Sequence, residues 1–124
     1  MSLFVDDAEL FDIEVNYTVE NGVIKFHEEG CPGCESATFS FKRPNWNESK
    51  TILSASVLVD AASGRAIVDP YKLMDMRIRL LLKKWSLEQP LLPENIAKLD
   101  PNLMQYLYSK VEERLSPPAD KEQV

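Results

Sequence analysis

Histidine is nearly missing from this chain: His27 is the only one among 124 residues. That removes any two-histidine metal site or histidine-paired relay, and as a general base His27 would need a nucleophile and an orienting carboxylate. Glycine is scarce too, with four in all, too few for a Gly-rich phosphate loop. Positive charge is in deficit: 14 Lys and Arg face 20 Asp and Glu, a net charge of −6. Nucleic acid and anionic membranes both select cationic surfaces, so neither is an expected partner. Long apolar runs are absent as well. The richest cluster, residues 78–85, is broken by Arg79, Lys83 and Lys84, so no segment reads as a membrane span. The first ten residues carry Asp6, Asp7 and Glu9 and lack the cationic start and apolar run of a secretory signal. An intracellular protein is expected, with its two cysteines as reduced thiols or metal ligands rather than a structural disulfide.

What is present is ordinary globular material, 44% hydrophobic and 27% charged. Its length suits a single domain with one modest core. Phe11, Ile13, Val15 and Tyr17 alternate with polar residues, the signature of a half-buried strand. Asn21-Gly22 is a type I′ hairpin signal, and residues 23–26 supply the returning strand. After a Gly/Pro-rich loop, Ala37, Phe39 and Phe41 alternate in a third strand that Pro44 ends. A small antiparallel sheet is expected.

Helical signals then take over. Asn45 with Glu48 forms a capping box, opening a first helix placed at 46–62. Leu53, Ala55, Val57 and Val59 also alternate with Ser54 and Ser56, so residues 51–59 read nearly as well as a strand. Asp69-Pro70 is an N-cap and N1 pair. Tyr71, Met74, Ile78, Leu81 and Trp85 then recur at helical spacing, which carries the second helix to Trp85. A Pro-punctuated linker follows. Asp100-Pro101 opens a last helix striped by Leu103, Leu107, Val111 and Leu115. The expected class is α+β: a small N-terminal antiparallel sheet, then about three helices, in one domain over 1–115 with a flexible polar tail over 116–124.

The sharpest local motif is Cys31-Pro32-Gly33-Cys34. Two thiolates at this spacing can share a zinc ion from one turn, and His27 makes a His27, Cys31, Cys34 set. Zinc would still need a fourth ligand: Glu28, Glu29, Glu35, water or a second subunit. A redox cysteine wants a strand-to-helix turn, whereas this pair lies between two strands. The plain alternative is a turn with two ordinary thiols. No other cofactor is called for. Elsewhere the helical half has more apolar surface than one seam per helix requires. Leu80, Leu82, Trp85, Leu103, Tyr106 and Leu107 are the candidate partner-binding residues, for self-association or a client.

Residues 37–115 resemble small phage tail assembly chaperones. The resemblance rests on Arg43-Pro44-Asn45-Trp46, on Asp69-Pro70, on Leu81-Leu82-Lys83-Lys84-Trp85-Ser86-Leu87, and on the linker Leu92-Pro93-Glu94-Asn95-Ile96-Ala97-Lys98-Leu99-Asp100-Pro101-Asn102-Leu103. The cysteine loop lies outside it. The resemblance implies a non-enzymatic viral protein of the host cytoplasm that coats the helical, aggregation-prone tape measure protein and helps recruit tail tube protein. Two other readings stand beside it: a permanent baseplate or neck component using the same surfaces, and a small zinc-binding regulator organised by His27, Cys31 and Cys34.

Overall fold

A computed structural model describes residues 3–116. It is an α+β fold with an antiparallel sheet at the N-terminal side and helices after it. Strands β1 (Leu10–Glu20), β2 (Val23–His27) and β3 (Glu35–Lys42) come first. Helix α1 (Trp46–Ala55) leads into a short hairpin of β4 (Val57–Val59) and β5 (Ala66–Val68). Helix α2 (Pro70–Leu81) runs directly into β6 (Leu82–Trp85). One turn of helix, α3 (Pro93–Ile96), precedes α4 (Pro101–Leu115). The main sheet has the order β2-β1-β3-β6, and β4-β5 stands apart from it.

Local chemistry accounts for most of these boundaries. Asn21 and Gly22 take positive φ angles of 52° and 78°, the backbone a type I′ turn demands, and join β1 to β2. Asn45 and Glu48 close the capping box on α1. Asp69 and Asp100 each accept from two backbone N–H groups at the starts of α2 and α4, with a proline at the first helical position.

Two expectations need correction. The first helix stops at Ala55 rather than 62, and Val57–Val59 is a strand. Ser56 caps α1, its hydroxyl donating to the Ile52 carbonyl at 2.6 Å. The alternation beyond it then pairs in register with β5 through Val57 with Val68, Leu58 with Ile67, and Val59 with Ala66. The second helix stops at Leu81 rather than Trp85. Residues 82–85 leave the helix and pair with β3, Phe41 against Leu82 and Phe39 against Trp85. Lys83 is the extra residue where that register shifts, and both Lys83 and Lys84 stay exposed. Of the tail placed at 116–124, Ser116 caps α4 and the remainder lies outside the described residues.

The core lies between one face of the sheet and the helices. Ile13, Val15, Ala37, Phe39 and Phe41 meet Ile52 of α1, Ile78 and Leu81 of α2, and Leu107 and Val111 of α4. Phe39, Phe41, Ile78, Leu81, Leu107 and Val111 are fully enclosed. Each such side chain contributes about 1.5–3 kcal/mol through removal from water.

Candidate functional site

The sheet and helices leave two features without a role in the core: the β4-β5 hairpin and the loop between β2 and β3.

Every residue of the hairpin strands is exposed, although five of the six are Val, Leu or Ile. Val59 retains 73% of its surface and Ile67 49%. Side chains alternate faces along a strand, so Leu58 with Ile67 makes one face apolar, and Val57, Val59 and Val68 the other. Leu53, near the end of α1, and Tyr71, at the start of α2, are exposed as well. The base is held firmly: the Asp69 N–H donates to the Ser56 carbonyl at 2.8 Å, and Ser56 is fully buried. At the tip, the Asp60 carboxylate accepts from the Ser63 hydroxyl, and Gly64 takes a φ of +69°. The bonds from the Ser63 hydroxyl and the Ala62 N–H hold the Asp60 carboxyl below its usual range. Among the described elements each hairpin strand pairs with one neighbour, so two backbone edges face outward.

The partner-binding residues read from the sequence fall elsewhere. Leu82 and Leu107 are core residues at 4% and 0% exposure, so no partner reaches them while the domain is folded. This corrects their assignment to a contact surface. Leu80 and Leu103 are half-buried against the same core. Trp85 meets Phe39 edge-on at 6.2 Å, and its indole N–H donates to the Gln89 carbonyl at 2.7 Å. Tyr106 stacks on Phe26 at 4.3 Å, and burial raises its phenol above the ordinary range. The apolar surplus of the helical half is therefore the sheet's own cover. The hairpin was legible in principle, through the alternation at 53–59, the turn residues at 60–65 and the Ala66-Ile67-Val68 run.

The β2-β3 loop is the other feature. Both strands run antiparallel to β1 on its two sides, His27 and Ser36 each lying opposite Asn16. Residues 28–34 must therefore cross over β1, a span of two strand spacings or about 9.6 Å. The crossing ends in a turn, with the Cys34 N–H donating to the Cys31 carbonyl at 3.0 Å and Gly33 at a φ of +81°. Pro32 and Gly33 occupy the two positions a type II turn reserves for them. Cys31 and Cys34 are joined in a disulfide, where free thiols had been expected. The turn accounts for the pairing, because it sets the two Cα atoms 5.2 Å apart. His27 is brought to the same place: its ring and the two sulfurs offer ligand atoms all within 4.8 Å of one another. Its Nε2 is hydrogen-bonded to Thr18 Oγ1 at 3.0 Å.

The buried charge elsewhere is committed to structure. Lys42 is almost completely buried and ion-paired with Glu48 and Asp7. Burial works to lower its pKa, but the hydrogen bonds to the two carboxylates outweigh this and hold it above the ordinary lysine range. Ser40 donates to Asp12 at 2.6 Å, a pair with no histidine attached, since His27 is engaged with Thr18. An open depression of about 880 Å³, lined by Leu3, Val5, Phe11 and Arg43 among others, brings no nucleophile and base together. Among the described residues no helix is long and apolar enough to cross a membrane. Comparison with family models, curated proteins and solved structures found no match.

Proposed function

We propose that this chain is a non-enzymatic assembly chaperone of the phage tail kind. It holds the aggregation-prone, helical tape measure protein in the host cytoplasm and helps bring tail tube subunits to it. The observation that carries the reading is the β4-β5 hairpin, apolar on both faces, open on both edges and fixed between two helices. A soluble acidic domain rarely retains a projecting apolar element without a partner for it. The hairpin offers two known modes of contact: an apolar face against an amphipathic helix, and a strand edge for backbone pairing. Many copies on one long client bind by avidity, so a modest contact per copy suffices. The resemblance of residues 37–115 to tail assembly chaperones supplies the kind of client.

The test is capture by the tagged chain in its phage-infected or lysogenic host, read by mass spectrometry and repeated with Val59→Lys/Ile67→Lys. The expected result is recovery of a very long helical protein with a tail tube protein by the parent chain, and of neither by the double variant. Equal recovery by both chains refutes the assignment of the surface. Presence of the chain in purified virions replaces the chaperone by a permanent structural component.

A further inference from the structure

Independently of that reading, we propose that the dithiol form of the crossover loop binds one zinc ion through His27, Cys31 and Cys34, and that disulfide formation releases it.

The geometry supplies three donors from one short segment. Zinc–sulfur and zinc–nitrogen bonds of about 2.3 and 2.0–2.1 Å put tetrahedral ligand atoms about 3.6–3.8 Å apart. The three ligand atoms already lie within 4.8 Å of one another. All three residues are half-buried, which shields a bound ion while leaving it reachable. The histidine is also oriented. In the tautomer whose Nε2–H donates to Thr18 Oγ1, Nδ1 carries the lone pair, and a hydrogen-bonded outer nitrogen is the usual companion of a ligating imidazole. Two soft thiolates and one imidazole favour zinc over calcium or magnesium, which take oxygen ligands.

The fourth position is narrowed by the neighbours. Glu28 is held by Lys110 at 2.9 and 3.0 Å, and Glu35 lies across from Tyr17 in the β1–β3 register. Water or Glu29 completes the shell. The coupling to redox state follows from the same sulfurs, since a disulfide offers no thiolate. Reduction by a dithiol opens the Cys31–Cys34 bond, giving two thiols on the chain and a disulfide on the reductant. Zinc then displaces both thiol protons. In reverse, a small-molecule disulfide takes two electrons from the zinc-bound thiolates. The Cys31–Cys34 bond re-forms, two free thiolates leave on the oxidant, and the zinc ion is released.

The experiment uses the full chain, reduced with a phosphine and desalted under argon, titrated with Co(II) and then Zn(II). The expected result is one equivalent of Co(II) with thiolate charge-transfer and tetrahedral d–d absorption, displaced by zinc, and none of this in the oxidised chain. Thr18→Val should weaken binding about 10–100-fold with both thiols still titratable. His27→Ala should weaken it at least as much. Glutathione disulfide added to the zinc-loaded chain should release one zinc per chain to a chromophoric chelator. The proposal is overturned by absence of the thiolate band in the reduced chain, by equal binding in the oxidised chain, by indifference to His27→Ala, or by zinc that remains bound after oxidation.

Discussion

Replacing Leu82 by Ser and, separately, Val59 and Ile67 by Lys tests where the core ends and the contact surface begins. Leu82 is 4% exposed at the junction of α2 and β6. Truncating such a leucine costs about 2–5 kcal/mol, and burying a hydroxyl in its place adds to that, so roughly 3–5 kcal/mol is expected. A chain of 124 residues has about 6–19 kcal/mol in total, at 0.05–0.15 kcal/mol per residue. The loss is therefore a large fraction, and corresponds to a fall in Tm of roughly 10–25 °C. Val59 and Ile67 lie on opposite faces of the hairpin at 73% and 49% exposure. The apolar burial they forfeit is about 1–2 kcal/mol together, a fall of roughly 3–8 °C. Thermal unfolding by circular dichroism, run beside client capture, separates the cases. Leu82→Ser should lose stability, with client capture failing only where the domain has melted. The hairpin variant should stay folded and fail to bind. A Leu82→Ser protein that melts with the parent refutes the core assignment, and a hairpin variant with full capture refutes the surface.

The Cys31–Cys34 bridge closes a loop of four residues, for which chain entropy gives about 2 kcal/mol at most. Reduction should lower Tm by less than about 10 °C and leave the far-ultraviolet spectrum unchanged; a reduced chain that unfolds shows the bridge to be structural. The Lys42–Glu48 pair sets the pH limits. Burial works to raise the Glu48 carboxyl, but Lys42 and the Asn45 N–H outweigh it and hold it below the usual range. Its stabilisation is thus present above the ordinary carboxylate pKa and is lost as pH falls through the depressed value. Lys42, held above the usual range, contributes fully below the ordinary lysine pKa and loses this as pH rises through the raised value. Urea unfolding should accordingly be flat near neutrality. Glu48→Gln should cost about 1.5–3 kcal/mol there and progressively less in acid; a difference independent of acidity would refute the pairing. Asp69→Ala and Asp100→Ala should each cost about 0.5–2 kcal/mol in the same assay, since each removes a helix cap.

Features decided within a few residues were readable in the sequence. Asn21-Gly22, Asn45 with Glu48, Asp69-Pro70 and Asp100-Pro101 each carry their own geometry, and each stands where the pattern put it. Residues 82–85 misled because Ile78, Leu81 and Trp85 satisfy a helical repeat; only the free edge of β3, distant in sequence, turns them into a strand. Leu82, Leu107 and Tyr106 looked surplus for the same reason. Counting one seam per helix omits the apolar face of a sheet that α1, α2 and α4 must cover. The cysteines were read from compartment rather than from the turn. Pro32-Gly33 specifies that turn locally, and it brings Cys31 and Cys34 within bonding reach. His27, four residues before Cys31, was legible beside them, and the hairpin pairing of β2 with β1 places it there.

The hairpin itself should be the least protected part of the sheet structure. It has three register pairs and two open edges, and its residues share little of the core. A two-stranded ribbon of that length is marginal in water, and it is tied to the rest of the domain at its base, where the Asp69 N–H donates to the carbonyl of the buried Ser56. Its apolar side chains therefore gain most of their burial from whatever binds there. Amide hydrogen exchange gives the measurement. In the free chain, Leu58, Val59 and Ile67 should exchange far faster than Ile13 or Phe39, which open only with the whole fold. Added client should slow the hairpin amides and leave the core amides as they were. Hairpin amides as slow as those of Phe39 in the free chain would show an element stabilised by its own domain, and the case for a vacant docking surface would fall with it.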